Sequence, residues 1–183
     1  VKGLVTVLLL CLPLSCLMTG SLMAETTADK SGEHKAEKSP DLVQMENLAE
    51  AGILEALKAV QRSGSFYPFA MGLRGVSEQL QLVGYQGEPE ARPSVDDFAV
   101  ALFLQLREMA KRDKDLVAAV VLKPFHATAE DGSKVPGIWV AADHRSEKPW
   151  VMFQPLIMRS PGTYVLGQII YQPSEESIFT ETP

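Results

Sequence analysis

The chain has 183 residues, of which 46% are hydrophobic and 22% charged, with a formal net charge of −6. That length suits one domain with tails, and the apolar fraction suits a packed core. The acidic balance excludes a general nucleic-acid binder, which carries a basic excess or stripe.

The first 24 residues differ from all that follow. Lys2 precedes the apolar run "GLVTVLLLCLPLSCLMTG", broken at Pro13, and "SLMA" offers a cleavage point after Ala24. This pattern predicts a secretory signal peptide over 1–24 and export to the periplasm or the medium. The alternative is an uncleaved membrane anchor, because the run approaches the roughly 18 residues that cross a bilayer. A lipid on Cys16 is a third option, although Pro13 stands where a lipobox places Leu. Cys11 and Cys16 both lie in this segment, so cleavage leaves no thiol for a disulfide, a nucleophile or a metal.

Residues 25–40, "ETTADKSGEHKAEKSP", mix charges with almost no apolar surface, which predicts a disordered linker and makes His34 a solvated residue. A domain over 41–175 follows. Its first helix starts at Ser39-Pro40-Asp41 and stops at Gly64. Leu42, Met45, Ala49, Ile53, Ala56, Leu57 and Val60 form its apolar stripe.

Phe66 to Leu73 and Gln79 to Tyr85 read as a hairpin across Gly75. Alternation places Phe66, Pro68 and Ala70 on one face and Tyr67, Phe69 and Met71 on the other. Pro68 donates no ladder bond, so the strand is an edge or the proline lies outside the pairing. Tyr67 and Phe69 become candidate partner-binding residues, because their face needs a helix, a loop or another protein to cover it.

A second helix begins at Ser94, with Asp97 three residues on. Phe98, Leu102, Leu106 and Met109 line its core side, and Lys111 and Arg112 suit its C-terminus. Strands follow at Leu116–His126, Gly137–Arg145, Trp150–Met158 and Tyr164–Gln172, then a tail over 176–183. The order predicts an α+β domain: an antiparallel sheet of five to six strands with two helices packed on it. A profilin-like or roadblock-like two-layer sandwich is the nearest architecture.

Four stretches, "FYPF", "LVGYQGEPEARPS", "ADHRSEKPWVMFQPL" and "YVLGQIIY", together resemble a family of small bacterial proteins of unassigned function. In that family a helix leads into an FYPF strand, and an "EHR" strand is followed by an apolar strand ending near proline. The likeness spans about residues 45–173, with Asp143 standing where the pattern has Glu. It implies an α+β domain and no catalytic residue.

Asp143, His144 and Arg145, followed by Trp150, form the most suggestive polar cluster. On a strand Asp143 and His144 face opposite ways, so they share a metal or a proton relay only across a bulge. A turn centred on Ser146 to Lys148 sets His144 opposite Trp150 and Asp143 opposite Val151. His126 is predicted to lie near Gly137, on the order of 23 Å along the strand from His144. A metal site there would need Glu130 or Asp131 beside His126. No G-x-S-x-G elbow, Walker loop, G-x-G-x-x-G, H-E-x-x-H or calcium loop is present.

These features favour a non-catalytic exported domain, without cofactor or metal, that binds a protein partner or a small ligand. Tyr67, Phe69, Asp143, His144, Arg145 and Trp150 are its candidate contacts. The partner side includes a second copy of the chain, and a membrane enters only through an uncleaved N-terminal segment. The alternative is a hydrolase-type enzyme built around Asp143, His144 and Arg145.

Overall fold

The computed structural model describes residues 38–179. The expected leader, most of the linker and residues 180–183 lie outside the described residues.

Local chemistry sets both helices. In α1 (Pro40–Ser63) the Ser39 hydroxyl accepts the Leu42 N–H at 3.0 Å, and Pro40 occupies the first turn. Gly64, at φ 77°, ends the helix by donating its N–H to the Val60 carbonyl. In α2 (Val95–Arg112) the Ser94 hydroxyl accepts the Asp97 N–H at 3.2 Å and donates to the Asp97 carboxylate.

Between and after the helices run β1 (Phe69–Arg74), β2 (Leu80–Gly84), β3 (Leu116–Thr128), β4 (Lys134–His144), β5 (Glu147–Ser160), β6 (Thr163–Leu166) and β7 (Ile170–Pro173). They form one antiparallel sheet in the order β2-β1-β3-β4-β5-β6, with β7 on another stretch of β5. The α+β arrangement of a sheet and two helices is therefore as expected. The final stretch makes two short strands rather than one, because β6 pairs with residues 156–160 of β5 and β7 with residues 150–153.

The helices divide between the two faces of the sheet. Met45, Leu48, Ala49, Ile53, Ala56 and Val60 of α1 pack on Met71, Val120, Leu122, Val140 and Met152. Ala99, Leu102, Leu106 and Ala110 of α2 pack on Ala70, Ala119 and Val121. With a helix on each side, β3 is buried on both faces from Ala118 to Leu122. A Cβ on Gly52 would lie 2.8 Å from Leu122 Cδ1, so glycine there lets α1 sit close on β3.

Two strand readings are corrected. β1 starts at Phe69 rather than Phe66 and lies between β2 and β3, so it is no edge, and the other expected alternative holds: Pro68 is buried just outside the pairing. Alternation therefore does not extend back through Tyr67 and Phe66. In the β4–β5 hairpin, His144 pairs with Glu147 and Ala142 with Trp150. The irregularity between Ala142 and His144 tightens the turn and shifts the register from the one expected.

Candidate functional site

The Asp143, His144 and Arg145 side chains part to three different elements. Asp143 is 2% exposed. Its Oδ2 accepts from the Ser177 hydroxyl at 2.7 Å, the Ile178 N–H at 2.5 Å and the Phe179 N–H at 3.2 Å, while Oδ1 takes the His144 N–H. The carboxylate thus fastens the chain after β7 to β4. Ile178 is buried against α2, and Arg107 Nε donates to the Ser177 carbonyl at 2.8 Å. The folded part extends at least to Phe179, past the expected tail boundary at 176.

His144 turns to the opposite face. Its Nδ1 accepts the Ser146 N–H at 3.1 Å, which leaves Nε2 to donate to Gln44 Oε1 of α1 at 3.2 Å. Arg145 reaches the end of α2. One of its terminal nitrogens, Nη2, donates to the carbonyls of Ala110 and Asp113, and its Nε donates to Leu116. Its guanidinium also lies 4.8 Å from the centre of the Phe179 ring. A cation beside terminal helix carbonyls complements the negative end of the helix dipole. The tripeptide is a joint between α1, α2, β4 and the C-terminal segment. It offers no common pocket in which acid, base and nucleophile could meet a substrate.

Tyr67 and Phe69 also separate. Tyr67 stacks on Phe98 of α2 at 5.1 Å, meets Tyr85 edge-on at 5.9 Å and donates its hydroxyl to the Pro93 carbonyl at 2.7 Å. Arg92 lies 5.0 Å from the centre of its ring. Desolvation by these neighbours pushes the Tyr67 phenol above its ordinary pKa, while the Arg92 charge pulls the other way. Phe69 packs on the α1 side, edge-to-face with Phe66 at 6.0 Å. Both residues are partly covered by their own chain: Tyr67 docks the loop entering α2, and Phe69 docks α1.

His126 pairs with Pro136, one position from the expected Gly137. Among the described residues no group of three His, Cys, Asp or Glu side chains is placed to hold a metal.

The remaining candidate, Trp150, does open onto a hollow. Ladder partners share a face, and the α1-side row Leu122–Val140–Met152–Tyr171 runs out beyond α1. Trp150 and Tyr171 stand edge-to-face at 5.5 Å. With Ile53 and Leu54 of α1, Met152, Leu166 and Ile169 they line a cleft of about 310 Å³. Gln154 closes it from within: it is 2% exposed, and its amide nitrogen donates to the Gly167 carbonyl at 2.7 Å. Lys38, Glu46 and Glu50 supply the charged rim.

On the other face α2 packs against β1 and β3, and the sheet continues past it. The row Lys123–Trp139–Phe153–Ile170 crosses four strands there. Phe125, Trp139, Val151, Phe153 and Ile170 line a shallow hollow of about 300 Å³, with Phe125 40% exposed. Lys123 Nζ lies 5.1 Å from the centre of the Trp139 ring.

Tyr171, Gln154 and the Phe125–Trp139–Phe153 set escaped the sequence reading. A signal for them exists: β5 is apolar in both parities, with Trp150 and Met152 alternating against Val151 and Phe153. A central strand with two apolar faces needs cover on both, and here each helix leaves part of β5 open. No protein-family model, curated protein or solved structure matches the chain.

Proposed function

We propose that this protein is a non-catalytic, exported binding domain that holds a small ligand with an apolar body in the cleft between α1 and β5–β7. One observation carries the reading: the cleft is walled by Trp150, Tyr171, Met152 and Leu166, while Asp143, His144 and Arg145 are each engaged in joining structural elements. A cleft of about 310 Å³ falls at the small end of the 300–1,000 Å³ range of ligand sites, and a mostly apolar lining with a few polar groups is their usual composition. Export rests on the N-terminal pattern ending at Ala24.

The test is native mass spectrometry of the protein purified from its own cells, wild type beside Trp150→Glu. A bound small molecule present in the first and lost from the second is the expected result. An empty protein that hydrolyses an ester, amide or phosphate substrate, with activity lost in a folded His144→Gln variant, would replace the reading with the hydrolase alternative. N-terminal sequencing of the same preparation tests export: the expected chain begins near Glu25, and an intact Val1 in the cytoplasm contradicts it.

A second reading is favoured by the exposed Phe125 and Ile170 and the half-buried Trp139 and Phe153 on the far face. There a second copy of this chain would bury the aromatic row. Sedimentation of wild type and Phe153→Asp decides it: a concentration-dependent dimer dissolved by the substitution supports it, and a monomer at all concentrations removes it.

A further inference from the structure

We infer that the ligand of the α1–β5–β7 cleft is an organic cation, an amine or quaternary ammonium joined to a short apolar body. This rests on the binding reading above and adds the charge of the ligand. Three features of the cleft agree on that charge.

The first is the carboxylates. Glu46 and Glu50 stand one helical turn apart on α1 and both reach the cleft rim. Against them stands one cation of the lining, Lys38. Its Nζ lies 2.6 and 2.7 Å from the two Glu46 oxygens, which leaves Glu50 without a salt-bridge partner among the described residues. The rim carries a formal charge of −1. The second feature is Lys38 itself, because it shows that an ammonium group is already accommodated at this rim. It comes from the start of the helix rather than from the cleft floor, and a ligand cation can take up Glu50 without displacing it.

The third feature is the aromatic pair. Trp150 and Tyr171 both line the hollow, with ring centres 5.5 Å apart and ring planes inclined by 81°. Ring faces carry negative potential, and aromatic residues gathered around one site recognise quaternary ammonium groups. An anion would meet a rim whose net charge is negative, with Glu50 left over once Lys38 has paired with Glu46. The floor of Met152, Leu166 and Ile169 takes the apolar body, and the buried Gln154 gives it a fixed end wall. The volume suits a ligand the size of a benzyl group bearing a trimethylammonium.

The test is isothermal titration of the full chain with three probes of similar size: benzyltrimethylammonium, neutral 3-phenylpropan-1-ol and anionic 3-phenylpropionate. The expected order is cation first, alcohol weaker by about fivefold, and the anion weakest. Glu50→Gln lies on an exposed helix position and leaves the fold intact, so it isolates charge. It is expected to weaken the cation severalfold and to leave the alcohol unchanged. Tyr171→Leu keeps the apolar contact and removes a ring face, with the same selective loss expected. Equal binding of the cation and the alcohol, or a cation affinity unmoved by Glu50→Gln, overturns the charge assignment and leaves the binding reading standing. Failure of all three probes to bind at millimolar concentration overturns both.

Discussion

The two faces of the sheet are covered by different means. On the α1 side a 24-residue helix spans the width of the sheet from β1 to β6, and one apolar stripe of that helix does the covering. On the α2 side an 18-residue helix covers β1 and β3, and a segment far along the chain, Ser177 to Phe179, is drawn back to extend the layer. The first face is held mainly by apolar area, with a few side-chain bonds at its margins, from His144 to Gln44 and from Gln61 to the Tyr164 carbonyl. The second depends on a polar fastening, the Asp143 carboxylate with its three donors from the C-terminal segment. Apolar burial is non-directional and tolerates small shifts, whereas a buried carboxylate fails abruptly when its donors are lost.

That contrast can be broken in order of severity. Asp143→Ala should be the most damaging of the changes considered. It strands the Ser177 hydroxyl and two backbone N–H groups and releases Ile178 from the core. A loss of about 3–4 kcal/mol in denaturant unfolding is expected, with new proteolytic cleavage confined to the C-terminal segment. Should the loss be small and the segment stay protected, the second face is held by packing like the first. Leu122→Ala, under α1, should cost about 3 kcal/mol through lost area and a cavity beside Gly52, without exposing the C-terminal segment to protease.

Arg145→Ala should cost about 2 kcal/mol, since it removes the donors to the Ala110, Asp113 and Leu116 carbonyls. Hydrogen exchange is expected to quicken in the last turn of α2 and not in α1. His144→Phe should cost about 1–2 kcal/mol by deleting two bonds, the one to Gln44 and the one accepted from the Ser146 N–H, with the α1 side and the β4–β5 turn affected instead. Exchange changes spread evenly over both helices would show that the tripeptide does not separate the two faces as its geometry indicates. Phe125→Ser, on the open part of the α2 face, should change stability by about 1 kcal/mol or less. It gives up an edge-to-face contact with Phe153 at 5.9 Å at a position that is already 40% exposed. A larger loss would mean that a second copy covers this face in solution.

Much of this was legible in the sequence wherever the determinant is local. Ser39 and Pro40 open α1, Gly64 closes it, and Ser94 opens α2, because a cap needs only residues within one turn of it. The candidate residues fared by the same rule. Trp150 reached a cleft because strand alternation brought it to a face that α1 leaves partly open. Tyr67 and Phe69 were paired by an alternation that the chain does not follow before Phe69. Asp143 stood out as a candidate contact because its partners, Ser177 to Phe179, stand more than thirty residues away and carry no motif of their own.

By itself, then, the sequence determined the helix ends, the apolar stripes, the succession of strands and the α+β class. All of these follow from backbone sterics and from periodicities of 3.6 and 2 acting over a few residues. Only the tertiary structure decided which helix takes which face and that β1 is interior. It also decided that Asp143, His144 and Arg145 part to three elements, and that α1 stops short of Trp150 and Tyr171 to leave a cleft. Those outcomes depend on which apolar surfaces meet, and apolar contact has no direction that a sequence pattern could announce.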